Sequence, residues 1–249
     1  MSRQLREKEA YDRHALQRES HEARFPRSIR FHEYLAALVT KYMQACQGAR
    51  VLEIGSNAWT GYLHQRHFQP EELVCINISE EELEAGRRHY EKLAPPFPIE
   101  FILMDAHDLQ LAPESFDVVF GGAILHHLDL QVALDQIYRV AKPSGEILFH
   151  EPLGSNPFAA LVRRLTPSAR TADERPLSAR DLRLIRSKFE TQLHFLEFTC
   201  VLPNAITASL LGSQSKAVDA LFYGVDRLAS RIPLLPLLYR DVLIHGRKK

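Results

Sequence analysis

The stretch Val51-Leu-Glu-Ile-Gly-Ser-Asn-Ala-Trp-Thr-Gly61 decides how the rest of the chain reads. It begins as an apolar run, Val51, Leu52 and Ile54, broken by one acid, Glu53. It then reaches Gly55 and a small polar turn, Ser56-Asn57-Ala58, and becomes helical in pattern from Trp59. A buried strand that stops at a glycine turn and feeds a helix is the opening βα unit of a nucleotide-binding α/β sheet, whose ligands lie outside the carboxyl ends of the strands. Gly55 lets the backbone take angles other residues avoid, and the following helix offers free N–H groups. The stretch is not a dinucleotide fingerprint. GxGxxG requires glycine where Asn57 and Thr60 stand, and a pyrophosphate wants bare N–H groups at a helix start.

Outward from this stretch, strands and helices alternate. Residues 31 to 47 carry apolar side chains at 31, 34, 35, 38, 39, 42 and 43, an amphipathic helix closed by Gly48. Strand 1 is about 50 to 55 and a helix follows near 59 to 67. Strand 2 is Leu73 to Ile78, and Ser79 with Glu80 to Glu82 caps a helix that Pro95-Pro96 stops. Strand 3 is Ile99 to Met104, and Asp105 to Pro113 is a loop. Strand 4 is Phe116 to Phe120, broken by Gly121-Gly122. A helix covers about 129 to 141, Lys142 to Gly145 is a turn, and Glu146 to His150 is strand 5. This alternation predicts a parallel sheet with right-handed crossovers and helices on both faces. Beyond Pro152 we expect short helices at 156–165 and from Ser178 to about Phe189, strand 6 from Thr191 to Leu202, helix over 204–231, and a closing strand at Asp241 to His245.

Composition narrows the function. A chain of 249 residues, 45% hydrophobic, suits one large α/β domain or a domain with a cap. Lys plus Arg and Asp plus Glu are both 31, so no net field favours nucleic acid. Cys46, Cys75 and Cys200 are far apart with no CxxC spacing, which argues against a zinc site or disulfide framework. Thiol usage and the polar start Met1-Ser-Arg-Gln point to a cytoplasmic protein. No apolar run approaches the roughly 20 residues of a membrane span.

The motifs resemble, in order and register, those of the class I S-adenosylmethionine-dependent methyltransferases, whose first motif reads E/D-x-G-x-G-x-G. Glu53 and Gly55 match it, while either Asn57 and Trp59 replace the later glycines or two residues are inserted and Gly61 is the last glycine. Cys75 to Ser79 resembles the family's "GVDIS", Met104 to Leu109 its "GDAEDLPF", and Ser115 to Val119 its "SFDVV". Ala123 to Leu128 resembles "VLHHL", Arg139 to Gly145 "RVLKPGG", and Leu148 to Pro152 "LLFSEP". The resemblance covers about residues 48 to 153. It implies a Rossmann-like seven-stranded, mostly parallel sheet with the last strand antiparallel and a helical cap. The expected organisation is a single domain: an N-terminal helical lid over 1–48, a cofactor core over 49–153, cap segments at 154–189 and 203–238, and closing strands at 190–202 and 239–249.

The same resemblance assigns roles. Glu53, Gly55, Ser56 and Asn57 would hold the methionine end of S-adenosylmethionine, with Trp59 beside it. Asn77 and Ile78 would face the ribose, although the family normally has an acid where Asn77 stands; Glu80 or Glu81 would be its substitute. Asp105 would meet the adenine amine, Ala106 and His107 would line the ring, and Gly121 and Gly122 would admit the methionyl amine. His126, after strand 4, is the first candidate for a base facing the acceptor, because imidazole takes a proton near neutral pH. Phosphoethanolamine methyltransferases share an "AILH" here and use the matching His in catalysis. They have an Asp four residues earlier, where this chain has Gly122. His127 and Glu151 are further catalytic candidates. Tyr11 and His14, three apart on one helical face, and His150 at the end of strand 5 are candidates for touching the acceptor.

The acceptor is expected to be a small molecule, of secondary metabolism by analogy, with nitrogen or oxygen as the attacked atom. Arg163, Arg164, Arg170, Arg175 and Arg180 would hold a carboxylate or phosphate, or simply form a solvated face. Leu234 to Leu238 with Phe222 and Tyr223 would form an apolar pocket, a dimer contact or a membrane-surface patch. Two rival readings are a nicotinamide oxidoreductase, disfavoured by the first turn, and a non-catalytic methyltransferase-like partner protein, favoured by Asn57, Trp59 and Asn77.

Overall fold

The computed structural model describes residues 28–55, 68–157, 159–161 and 175–249. Seven strands form one sheet in the order β3-β2-β1-β4-β5-β7-β6. They are β1 (Arg50–Ile54), β2 (Glu72–Asn77), β3 (Ile99–Leu103), β4 (Phe116–Gly122), β5 (Ala141–Pro152), β6 (Phe189–Leu196) and β7 (Asp241–Lys248). Strands β1 to β5 pair in parallel, and β7 inserts antiparallel between β5 and β6. The expected seven-stranded α/β sheet with an antiparallel last strand is therefore present.

Each central strand is apolar on both faces, as a doubly covered parallel sheet requires. Side chains alternate across the sheet. Leu52, Ile54, Val74, Ile76, Val119 and Phe149 enter one core, with Leu134, Ile137 and Val140 of helix α3 (Leu130–Val140). Val51, Leu73, Cys75, Val118 and Leu148 enter the other, with Phe31, Leu35, Val39 and Tyr42 of helix α1 (Ile29–Tyr42). The described part of the first 48 residues is thus a wall of the core, and Ser28 caps α1 by accepting from Phe31 N at 3.1 Å. Tyr11 and His14 lie outside the described residues. The remaining helices among the described residues are α2 (Glu80–Leu93), α4 (Ala179–Lys188), α5 (Val201–Leu211) and α6 (Lys216–Ala229).

The caps read from the sequence are in place. Ser79 accepts from Glu82 N, and Ser178 and Asp181 form a reciprocal capping box at α4. Each such cap is worth about 1 kcal/mol.

The helix expected over 204–231 is two, α5 and α6, because Gly212 ends the first and Ser215 caps the second, and three strand boundaries also differ from the sequence expectation. β4 runs through Gly121-Gly122, because Gly121 pairs with Phe149 and Gly122 with His150. Lys142 to Gly145 lies inside β5 as a bulge, where the register with β4 shifts between Phe116 and Val118. Ser144 has φ 60° there, and a Cβ on Gly145 would come within 2.9 Å of the Lys142 carbonyl. Lys142 braces the bulge on Asp117 at 2.8 Å. Finally, β6 ends at Leu196, and Val201 already begins α5. Glu197 turns the chain with φ 57°, and Asp226 of α6 accepts from Phe198 N and Thr199 N at 2.8 and 2.7 Å.

Candidate active site at the carboxyl edge of the sheet

The site candidates gather where the parallel strands end. Gly55 closes β1 with φ 94° and donates to the Ile76 carbonyl at 2.9 Å. Ile124 packs on it, so that a Cβ on Gly55 would lie 3.0 Å from that side chain. Ile124 also covers Gly121, where a Cβ would come within 2.8 Å of Ile124 and of the Ile54 carbonyl. Both glycines are therefore required by the close fit of the turn after β4 over the end of β1. The sequence reading missed Ile124; its only signal was a large residue within the Ala123-to-Leu128 motif. Ser56, Asn57 and Trp59 lie outside the described residues.

Asn77 ends β2, buried. Its Nδ2 donates to the Gly55 carbonyl at 3.1 Å, and its Oδ1 accepts from Ser79 N at 3.0 Å. The amide thus ties the first turn to the start of α2. A carboxylate at this position would set an acceptor against the Gly55 carbonyl, which supplies a physical reason for the departure from an acid. Ile78 follows in the connecting turn. Glu80 is engaged with Arg87 at 3.0 Å, and Glu81 accepts from Ser79 Oγ at 3.2 Å. Glu53 is wholly buried on β1, and Cys75 Sγ donates to it at 3.4 Å. Burial, with the Glu53 charge next, holds the Cys75 thiol well above its ordinary range.

After β3, Asp105 Oδ1 accepts from the His107 backbone N–H at 2.9 Å and contacts His107 Nδ1 at 2.6 Å. His107 Nε2 in turn accepts from Asp129 N, the cap of α3, at 2.8 Å. An accepting Nε2 and a donating Nδ1 define a neutral tautomer. His107 therefore braces the β3 loop to α3, with buried Ala106 between it and Asp105.

The most elaborate arrangement joins β4 and β5. Ala123 has φ 54°, and its N–H donates to the His150 carbonyl at 2.8 Å. The following 3-10 turn, Leu125–His127, points its N–H groups at Glu151. Glu151 Oε1 accepts from Ile124 N at 2.9 Å and Leu125 N at 2.8 Å, while Oε2 lies 3.4 Å from His126 N and 2.8 Å from His126 Nδ1. Glu151 is fully buried and His126 is 6% exposed. A carboxylate only accepts, so Nδ1 is the donor and the neutral imidazole keeps its lone pair on Nε2. The His127 ring rests against that of His126, with centroids 4.0 Å apart.

His150 and Glu151 do not share a face. Strand alternation sends Glu151 under the 124–126 turn and His150 to the α1 side, where its ring lies 5.8 Å from that of Phe31 and its Nε2 3.9 Å from Asp241. Arg175 donates its backbone N–H to the His126 carbonyl at 3.0 Å, but the side chains of Arg175 and Arg180 are exposed. Arg163, Arg164 and Arg170 lie outside the described residues. Tyr223 lines a cavity of about 150 Å³ with Tyr34, Phe195, Tyr239, Arg227 and Arg231 at the carboxyl end of β6, and that lining takes in none of Leu234 to Leu238. Among the described residues no His, Cys, Asp and Glu cluster is arranged to hold a metal ion.

Residues 52–149 match the family model described as "Methyltransferase domain". An O-methyltransferase of Penicillium expansum is 25% identical over 116 residues, 46% of this chain and 42% of its own length. A demethylmenaquinone methyltransferase of Clavibacter sepedonicus is 38% identical over 93 residues, 37% of this chain and 36% of its own length. The chain thus spans less than half the length of these curated relatives. Among solved structures, geranyl diphosphate C-methyltransferase from Streptomyces coelicolor A3(2), in complex with Mg2+, geranyl diphosphate and S-adenosyl-L-homocysteine, superposes with a TM-score of 0.62 at 14% identity, over 88% of this chain and 80% of that one. Residues 52–149 are thus similar to a methyltransferase domain, and the sheet that carries them has the fold seen in the class I S-adenosylmethionine-dependent methyltransferases.

Proposed function

We propose that the chain transfers a methyl group from S-adenosylmethionine to nitrogen or oxygen of a small-molecule acceptor, with His126 as the base. The observation that carries the reading is the pairing of His126 Nδ1 with the buried Glu151 carboxylate at 2.8 Å, beside the end of β1. The relative named as an O-methyltransferase supports an oxygen acceptor.

The donor set suits the cofactor. Glu53, Asn77 and Asp105 stand at or near the ends of three adjacent strands, and no Lys or Arg occurs in 51–55, 73–79 or 103–108. Acceptor-rich strand ends suit an ammonium, ribose hydroxyls and an adenine amine; they do not suit a dinucleotide's pyrophosphate. Glu53 and the Gly55 turn would face the methionine end, Asn77 with Ile78 the ribose, and Asp105 with Ala106 the adenine. Bound there, the sulfonium supplies an electrophilic methyl group.

The protein's own work is positioning and proton removal. Glu151 fixes the ring of His126 and its tautomer by taking the Nδ1 proton in a hydrogen bond. Nε2 then accepts the proton that an acceptor hydroxyl or amine loses as its oxygen or nitrogen attacks. The resulting imidazolium is stabilised by the adjacent Glu151 carboxylate. His127, against the outer side of His126, limits its rotation.

Titration calorimetry with S-adenosylmethionine and S-adenosylhomocysteine tests the first half: saturable binding is expected, and none at millimolar cofactor would sink it. Release of S-adenosylhomocysteine across panels of phenolic, carboxylic and amine acceptors tests the second. Cofactor binding without release on any acceptor would favour a non-catalytic partner.

A further inference from the structure

Helix α6 is inside out. The residues it buries are Asp219, Asp226 and Ala229. Asp219 accepts from Arg30 N at 3.1 Å and from Asn204 Nδ2 at 2.8 Å. Asp226 accepts from three successive backbone N–H groups and from Thr199 Oγ1 at 2.6 Å. Phe222 and Tyr223 are half-buried, and three larger aliphatic side chains point the other way. Leu221 and Leu228 are each 65% exposed and Val225 43%, at positions i, i+4 and i+7 of one stripe. The turn after the helix extends this surface with Ile232 and Leu234 at 55% and 79% exposed, and Leu210 near the end of α5 is 77% exposed. Isolated exposed leucines need no explanation, but a continuous stripe marks a contact surface.

The charges decide what it contacts. Residues 201–240 contain two acids, Asp219 and Asp226, and both are buried. Lys216, Arg227 and Arg231 are exposed. The exposed charges of 201–240 are therefore all cations, and they lie beside exposed leucines. That pairing is the chemistry of a helix lying in a membrane interface, apolar side down, with its cations on anionic headgroups. A second copy of this chain fits less well: the same stretch of its own surface exposes cations and no acid, so the contact gains no opposite-charge pairing.

We propose that α6 and the turn after it dock this protein on an anionic lipid surface. The inference stands apart from the reading of the active site. No helix among the described residues is long and apolar enough to cross a membrane, so the contact is peripheral.

The test is sedimentation of the full chain with vesicles of phosphatidylcholine alone or mixed with phosphatidylglycerol. The mixed vesicles should carry down the protein, and added salt should release it. Arg227→Gln with Arg231→Gln should weaken partitioning roughly fivefold for each charge lost. Leu221→Gln with Leu228→Gln should weaken it on the order of tenfold. These side chains are exposed, so unfolding midpoints should stay near wild type. Absence of sedimentation with the mixed vesicles, or leucine variants that partition like wild type, overturns the proposal. So does a wild-type dimer in equilibrium sedimentation that the leucine variants convert to monomer, because a second copy would then cover the stripe.

Discussion

Glu151 and Asp226 solve the same physical problem at two places along the sheet's carboxyl edge, one after β4 and β5 in its middle and one after β6 at its end. Each is a buried carboxylate facing three successive backbone N–H groups: Ile124, Leu125 and His126 for Glu151, and Phe198, Thr199 and Cys200 for Asp226. Each also takes one side-chain donor, His126 Nδ1 or Thr199 Oγ1. Such a nest satisfies the orphan donors of a turn and stabilises the buried charge. The difference lies in the fourth donor. A threonine hydroxyl makes Asp226 a structural anchor. An imidazole passes the carboxylate's influence on to a second nitrogen that can do chemistry. Burial and perfect satisfaction of an acid do not identify a working site; what it holds does.

The comparison breaks most readily at that fourth donor. His126→Ala should cut turnover about 10²- to 10⁴-fold on any acceptor that must lose a proton, with cofactor affinity nearly unchanged. Equal turnover would leave Glu151 as structural as Asp226. Next come the carboxylates themselves. Glu151→Ala and Asp226→Ala each strand buried donors and should each cost about 2–4 kcal/mol in urea unfolding. Only Glu151→Ala should also abolish turnover in the protein that remains folded; a loss of activity in both would erase the distinction. Asn77→Asp places a carboxylate 3.1 Å from the Gly55 carbonyl in place of a donor, and should cost about 1–2 kcal/mol and weaken cofactor binding.

The smallest effect concerns pH. Burial, then the charges of Lys41 and His245, hold His194 below its ordinary value, and its Nε2 lies 2.6 Å from the Tyr42 hydroxyl. The native state therefore resists its protonation. Stability should be full above pH 6.5, where the unfolded chain's imidazole is neutral, and should fall as pH drops from there toward the lower native value. His194→Gln should flatten that part of the melting-temperature profile. An unchanged slope would show that other groups set it.

Much of this was legible in the residues. Strands buried on both faces read as apolar runs, and Ser79 and Ser178 announced helix starts because caps act within three residues. What was not legible depends on distant partners. The bulge at Lys142 to Gly145 looks like a turn until β4 pairs on both sides of it. The period-two pattern continues past Leu196 through Phe198 and Cys200, and the strand is stopped by Asp226, some thirty residues on. At the site, Asn77 and Asp105 were found by position, but their uses as a tie and a brace were not. Glu151 was a catalytic candidate in its own right; its bond to His126 spans 25 residues. The exposed stripe of α6 was hidden for the opposite reason, since an amphipathic pattern does not say which side faces inward.

The antiparallel insertion of β7 has a consequence for how the chain comes off the ribosome. β5 is complete at Pro152, yet the neighbour for its open edge starts only at Asp241. At synthesis rates of roughly 5–20 residues per second, that edge waits on the order of 5–20 seconds while the cap is made. During that wait β6 has nowhere to dock, because it touches the sheet only through β7. A nascent chain stalled inside the cap would expose one long unpaired strand, and that is the species a chaperone would have to shield.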